Sequence, residues 1–404
     1  MNEQDLLKAV NPSYTTGKGC LGLLMAAGEP DAVKLAGKVD MSEIMGAKSS
    51  SAEDPIQQEI VGAYRVAHDA RYAVWNRIAE ESGCDTIVDL PCGYLPHGLA
   101  VSRMGKQYYG LELPVVINEI KPAMEELSGH DPAIHYHAVD ATNYDSLNQA
   151  LKDVKGKICI ITDGMLGFFN PSELKEVCQS IGRLLREHGG SWYTSDAMSI
   201  ELMAFAYEAV WQKDPQVVFR AVAAGSASKA EIDNSINPFI AWSYDERKKL
   251  MEEQGFSVRE FPYSEKLPEL RTADADLMQR LREVLSKMKE WELTVRAEAA
   301  SEERAGKFSV ATRREGDTVY YEIFGRVDTI TSPELLKAFE NGGKGEKIIV
   351  DAAKMQYISS SGLRVLMMMR KSLKDNGSLQ VINCSQEVKD IFEVTGFDSM
   401  FDIV

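Results

Sequence analysis

Thr86-Ile-Val-Asp-Leu-Pro-Cys-Gly93 runs an apolar strand straight into a tight glycine turn. A strand with no polar alternation is buried on both faces, which argues for a parallel sheet covered by helices. Open sheets of this kind bind ligands outside the carboxyl ends of their strands. Gly93 lets the backbone approach such a ligand, and Asp89 can accept hydrogen bonds from its polar end. A single glycine after a strand is more often only a turn.

Outward from this turn the pattern repeats. DTIVDL (85–90), QYYGLEL (107–113), AIHYHAV (133–139), KICIITD (157–163) and GSWYTSD (190–196) alternate with amphipathic stretches such as PSELKEVCQSIGRLLREHG (171–189). The alternation predicts an α/β fold, a Rossmann-like sheet, with a helical cap over about 52–82 before the first strand. Two more strands end in acids. Glu112 lies roughly 20 residues beyond the glycine turn, the spacing at which a carboxylate takes both hydroxyls of a ribose. Asp140 follows AIHYHAV, where its carboxylate or the Ala141 backbone can meet an adenine edge. The turn DLPCGYLPHG (89–98) does not fit G-x-G-x-x-G, which disfavours a pyrophosphate and hence a nicotinamide oxidoreductase. A ligand with adenosine but no phosphate fits better, and S-adenosylmethionine is the expected cofactor.

Those residues carry a resemblance. The run from Arg71 to Trp192 resembles the leucine carboxyl methyltransferase family, through ARYAVWNRI, IVDLPCG, YYGLELP, the VDAT stretch and ITDGMLGFF. WSYDERKKLMEEQGFSV (242–258) is similar to that family's late helix and strand. The resemblance implies a class I methyltransferase fold. It implies that Arg71 meets the methionyl carboxylate, and that Asp163 and Gly164 stand where the family has Glu-Gly. DLPCG replaces the family's more usual Leu-Gly-Cys-Gly. The expected cofactor set is therefore Arg71, Asp89, Gly93, Glu112, Asp140, Ala141 and Asp163. Methyl transfer is chiefly alignment of nucleophile, methyl and sulfur. A carboxylate acceptor is already ionised and needs no base. A hydroxyl acceptor needs one, for which His97 and Asp196 are the candidates. Tyr14, in the polar run NPSYTTGKG, is a candidate for lining the substrate mouth, though such a run more often forms an ordinary surface loop. His135 and His137 share a strand face without a third ligand, so no metal site is expected. MAFAYEAVW (203–211) reads as a helical lid or an interface.

Leu277, Leu281, Val284, Leu285, Met288 and Leu293 recur at helical spacing and predict a long helix over 273–307, fading into a charged linker that ends at Gly306. The chain then divides into a first domain, 1–300, and a second, 306–404. The second reads as short mixed strands and helices. Its GRVD (325–328), KIIVDAAKMQYISSSGLRVL (347–366) and VKDIFEVTGFDSMF (388–401) resemble a STAS domain of the anti-sigma factor antagonist type. In that family a serine before the Ser/Ala-Gly-Leu element is phosphorylated by an anti-sigma kinase, and Ser360 holds that position, with Ser359 in place of the family's Asp. Serines here also serve as helix caps. A phosphate would add about −1.5 to −2 charges beside free backbone N–H groups.

Net charge is −16 over 404 residues, and from Gly306 onward 13 Lys+Arg face 14 Asp+Glu, so the first domain carries nearly all of it. An acidic body disfavours nucleic acid and anionic membrane as partners. Six scattered cysteines and the absence of a signal-like N-terminus predict a reduced, cytoplasmic protein. Two functions follow as expectations: an O-methyltransferase for a carboxylate or hydroxyl acceptor with a STAS module that binds a kinase or other regulator, or a non-catalytic adenosylmethionine sensor in a partner-switching pathway.

Overall fold

The structure is a computed structural model that describes residues 14–45, 54–221, 242–296, 308–342, 347–373, 377–397 and 400–403. Strands β1 Thr86–Asp89, β2 Gln107–Glu112, β3 Ile134–Ala138, β4 Ile158–Thr162, β5 Gly190–Thr194, β6 Phe256–Pro262 and β7 Lys289–Val295 form one sheet in the order β3-β2-β1-β4-β5-β7-β6. Every pairing is parallel except those that β7 makes with β5 and β6. The chain winds outward from β1 to β3, then returns to lay β4 on the other side of β1. The strand order therefore reverses between β1 and β4, where open α/β sheets form a ligand crevice.

The apolar runs explain the layering. Ile87, Cys159 and Ile161 point into one core, shared with helices Tyr14–Ala26, Pro55–Glu81, Ser199–Trp211 and Ala275–Leu285. Their neighbours Val88, Ile158 and Ile160 point into the other, beneath helices Tyr144–Ala150, Pro171–His188 and Tyr244–Glu253. Successive strand residues alternate between faces, so both faces must be apolar for both to be covered. Local signals set the helix starts. Asp54 caps Pro55–Glu81 and Pro occupies its first turn. Asn170 and Glu173 form a reciprocal capping box on Pro171–His188.

One expectation fails. The helix predicted over 273–307 stops at Leu285, and Lys289–Val295 is the antiparallel strand β7. Trp291 and Leu293 lie in the core of the sheet, with Leu293 opposite Trp192. The helical spacing of Leu277 to Met288 was real, and Leu293 fell into phase with it by coincidence. The domain boundary placed between 300 and 306 lies outside the described residues.

The remaining strands, β8 Ser309–Glu315, β9 Thr318–Val327, β10 Lys347–Ile358, β11 Ser378–Ile382 and β12 Asp402–Ile403, make a second sheet in the order β12-β11-β10-β9-β8. Only the β8–β9 hairpin is antiparallel. Helices Ser332–Gly342, Ser360–Lys371 and Gln386–Val394 contribute to a separate core. Among the described residues no helix is long and apolar enough to cross a membrane.

Candidate functional site

The reversal point gathers most of the expected residues. Gly93 follows β1 with φ +51, and a Cβ built there would meet nothing within 4 Å, so the turn leaves open space against its backbone. Its N–H donates to Glu112 Oε2 at 3.3 Å, and Leu113 N–H donates to Oε1 at 2.8 Å. Burial outweighs those two donors and pushes the Glu112 carboxyl up to about 7. Asp89 is turned inward. It is buried and accepts a 2.7 Å bond from Tyr108 OH, and burial holds its carboxyl well above the usual range.

Across the crevice, Arg71 comes from the middle of helix Pro55–Glu81 and grips Asp163, just past β4. Arg71 Nε donates to Oδ2 at 2.9 Å and Nη2 to Oδ1 at 2.7 Å. Ser195 Oγ adds a 3.1 Å bond. Burial alone would raise the Asp163 carboxyl, but the guanidinium wins and holds it below its ordinary value. Gly164 has φ +75, and a Cβ there would lie 3.1 Å from Arg71 Nη2, so this turn and the guanidinium fit only with glycine between them.

Both candidate bases have partners of their own. His97 is buried between Tyr72 and Trp75, with ring centroids 4.6 and 3.8 Å away, and its Nδ1 lies 3.1 Å from Asn76 Oδ1. Burial presses it down to about 3, so it is neutral at physiological pH and packs as an aromatic. Asp196 accepts three backbone N–H groups, from Gly164, Met165 at 2.9 Å and Leu166 at 2.7 Å. It clamps the loop after β4. Tyr14 is not a surface-loop residue; it is buried on helix Tyr14–Ala26. His135 and His137 stack on Tyr109 at 4.5 and 6.1 Å. No cluster of three metal-ligating side chains occurs among the described residues.

Several residues at the crevice carried no sequence signal. The N-terminal helix lies over the glycine turn, since a Cβ at Gly17 would sit 3.2 Å from Tyr94 and 3.8 Å from the Gly93 Cα. Fully buried Lys18 fastens it there, donating to the Asp40 carbonyl and to Glu119 Oε1 at 2.9 Å, while Tyr94 OH donates to Glu119 Oε2 at 2.7 Å. Behind the Arg71–Asp163 pair is a cavity of about 10 Å³ lined by Trp75, Ser195, Tyr263 and Glu290 among others. Glu290 Oε2 is buried there without a hydrogen-bond partner, while the Trp75 indole N–H lies toward Asp89. Burial, then the nearby Asp163 and Asp196, hold the Glu290 carboxyl well above its ordinary value.

Asp140 and Ala141 are buried at the edge of the second sheet's domain. Asp140 Oδ1 accepts from Thr142 N–H at 2.8 Å and Thr142 Oγ1 at 2.7 Å; its Oδ2 accepts from Thr329 N–H of the C-terminal unit at 3.3 Å. Burial, reinforced by Asp328, pushes it up to about 7. Nearby, Arg326 pairs with Glu176 at 2.8 Å. Ser359, not Ser360, caps helix Ser360–Lys371, its side chain accepting from Gly362 N–H at 3.3 Å. Ser360 faces Glu173 of the first unit. Its N–H donates to Oε1 at 2.7 Å, and its hydroxyl reaches both carboxylate oxygens at 3.1 and 3.0 Å.

Comparison with known proteins divides along the same line. Over about 73% of this chain and 71% of its own, the structure of a candidate O-methyltransferase from Nostoc punctiforme aligns at 14% identity with a TM-score of 0.33. The O-methyltransferase NcsB1 of neocarzinostatin biosynthesis, solved with S-adenosylmethionine, aligns over 71% of this chain and 70% of its own at 11% identity and a TM-score of 0.33. A candidate anti-sigma factor antagonist, BtrV of Bordetella bronchiseptica, is 37% identical over 62 residues, 15% of this chain and 53% of that protein. The chain thus spans about half the length of that relative. The STAS family model matches residues 309–404, and the five-stranded C-terminal unit is a STAS domain.

Proposed function

We propose that the unit built on the seven-stranded sheet is an S-adenosylmethionine-dependent O-methyltransferase, and that the STAS domain is its regulatory module. One observation carries the reading: at the point where strand order reverses, an open glycine turn hydrogen-bonded to a strand-end glutamate faces an arginine–aspartate pair. The residues present fit the cofactor. The space beside Gly93 accepts a nucleoside backbone approach, and Glu112 offers carboxylate oxygens to ribose hydroxyls. Arg71 and Asp163 would meet the charged methionyl end, and Asp140 with the Ala141 backbone the adenine edge. Bound S-adenosylmethionine supplies an electrophilic methyl on sulfur.

This chain's residues align, exclude water and hold charge. Lys18, Tyr94 and Glu119 seat the N-terminal helix over the crevice, and Asp196 fixes the loop that presents Asp163. With His97 held between aromatic rings and Asp196 bonded to three backbone N–H groups, a carboxylate acceptor, which needs no deprotonation, is favoured over a hydroxyl. The sensor reading draws on a different observation: the STAS domain holds Asp140, a member of the expected cofactor set. A kinase or other regulator binding through the STAS domain, in a cytoplasmic setting, completes the proposal.

The test is calorimetric titration with S-adenosylmethionine across pH. Glu112 accepts ribose hydroxyls best as a carboxylate, and its carboxyl titrates near 7. Affinity is expected to rise by about 10-fold from pH 6 to pH 8 as the proton leaves. Glu112→Gln should weaken binding and make the profile shallower, leaving the part that Asp140, also pushed up to about 7, contributes. Absence of binding in the wild type at any pH would overturn the cofactor assignment. If binding is present, turnover of an acceptor separates enzyme from sensor.

A further inference from the structure

The first two residues past the Ser359 cap lie at the N-terminus of a 12-residue helix, where free N–H groups and the helix dipole favour an anion. The anion found there belongs to the other domain. Glu173, 2% exposed, presents both oxygens to Ser360: the backbone N–H at 2.7 Å and the hydroxyl at 3.1 and 3.0 Å. Its own helix uses one of those oxygens, Oε2, which accepts from Asn170 N–H at 2.9 Å in the capping box. Oε1 accepts from Ser360, and the buried Tyr357 hydroxyl lies beside the same carboxylate. Two further links flank this one, Arg326 to Glu176 and Thr329 N–H to Asp140, so the contact lies in a continuous seam. Ser180 Oγ, on the same helix as Glu173, donates to the Thr142 carbonyl at 3.2 Å and ties the seam to the Asp140 turn.

We propose that Glu173 is the bolt of an intramolecular lock: it fills the anion seat at the start of the STAS helix, masks the Ser360 hydroxyl, and holds the two domains as one body until an anion appears on Ser360. A phosphate ester there would set a charge of about −1.5 to −2 against the Glu173 carboxylate, where a hydroxyl now donates. Both anions cannot share one seat. An outside protein that engages Ser360 must likewise displace Glu173, so it competes with the chain's own first domain. This inference concerns docking alone and does not rest on the methyl-transfer reading.

The experiment is small-angle scattering with amide hydrogen exchange on the full chain as wild type, Ser360→Asp, Glu173→Gln, and the two combined. One compact body of this length has a radius of gyration of about 22 Å. Asp suits a helix N-terminus, so Ser360→Asp keeps the STAS fold while placing like charges together. It is expected to enlarge the radius and to speed exchange at 140–146 by about 10-fold or more, as for loss of a charge-assisted hydrogen bond. Glu173→Gln alone keeps the capping box and the bond from the Ser360 hydroxyl through its one oxygen but turns its amide toward the Ser360 backbone N–H, so it is expected to open less than Ser360→Asp. Combined with Ser360→Asp it offers an amide N–H to the new carboxylate, and the compact radius and slow exchange should return. A Ser360→Asp chain as compact and protected as wild type would overturn the proposal, as would a double variant as open as Ser360→Asp.

Discussion

Arg71→Ala is expected to lower the stability of the first domain by about 3 kcal/mol, the low end for a broken buried pair, because it strands an Asp163 carboxylate that is mostly shielded but still 18% exposed. Asp163 receives two guanidinium bonds and one from Ser195, and the electrostatic neighbours it would then face include the buried acids Asp89, Asp196 and Glu290. Thermal unfolding should register a fall of about 5 °C. Arg71→Lys keeps the charge but loses the two-pronged geometry, so it should fall between wild type and alanine. Asp163→Asn placed with Arg71→Ala should recover part of the loss, since it removes the orphaned charge. If Arg71→Ala melts with the wild type, the ion pair contributes nothing to the fold. The same substitution tests cofactor binding, but only variants that remain folded at the titration temperature can be compared.

Asp196→Ala should be comparably damaging for a different reason. The carboxylate is the shared acceptor for the N–H groups of Gly164, Met165 and Leu166. An orphaned buried donor costs about 1–3 kcal/mol, so losing the acceptor for three should cost roughly 3–5 kcal/mol after the loop relaxes. Asp196→Asn retains one oxygen and should cost about half as much. The loop it clamps includes Gly164, which packs on Arg71, so adenosylmethionine affinity should fall in step with stability. An unchanged melting temperature in Asp196→Ala would mean that the loop after β4 holds itself.

Most of the sheet was legible because β1 and β4 are apolar at consecutive positions, a pattern that only two-sided burial requires. β7 was not, because the phase of Leu277 to Met288 carries through to Leu293. Its own alternation of Trp291, Leu293 and Val295 with Glu290, Glu292 and Thr294 spans only a few residues, and Glu290 breaks the rule by being buried. At the crevice, strand-end acids were legible from spacing. Their partners were not: His97 is defined by Tyr72 and Trp75 on another helix, and Lys18 by Glu119 far along the chain. Glu173 had a complete local explanation in its capping box. Nothing near it in sequence signals that its second oxygen meets a serine 187 residues away.

The carboxylate of Asp140 sits in two neighbourhoods at once, with Thr142 on its own turn and Thr329 from the STAS domain. If adenine recognition draws on that same group, occupancy of the crevice and closure of the seam are thermodynamically tied, and the tie runs in both directions with one factor. A regulator that pries the STAS domain away would then retune cofactor affinity, and abundant cofactor would by the same factor change how readily that regulator binds. A methyl donor pool would thus be reported outward as a change in protein association, with the protein serving as its own gauge.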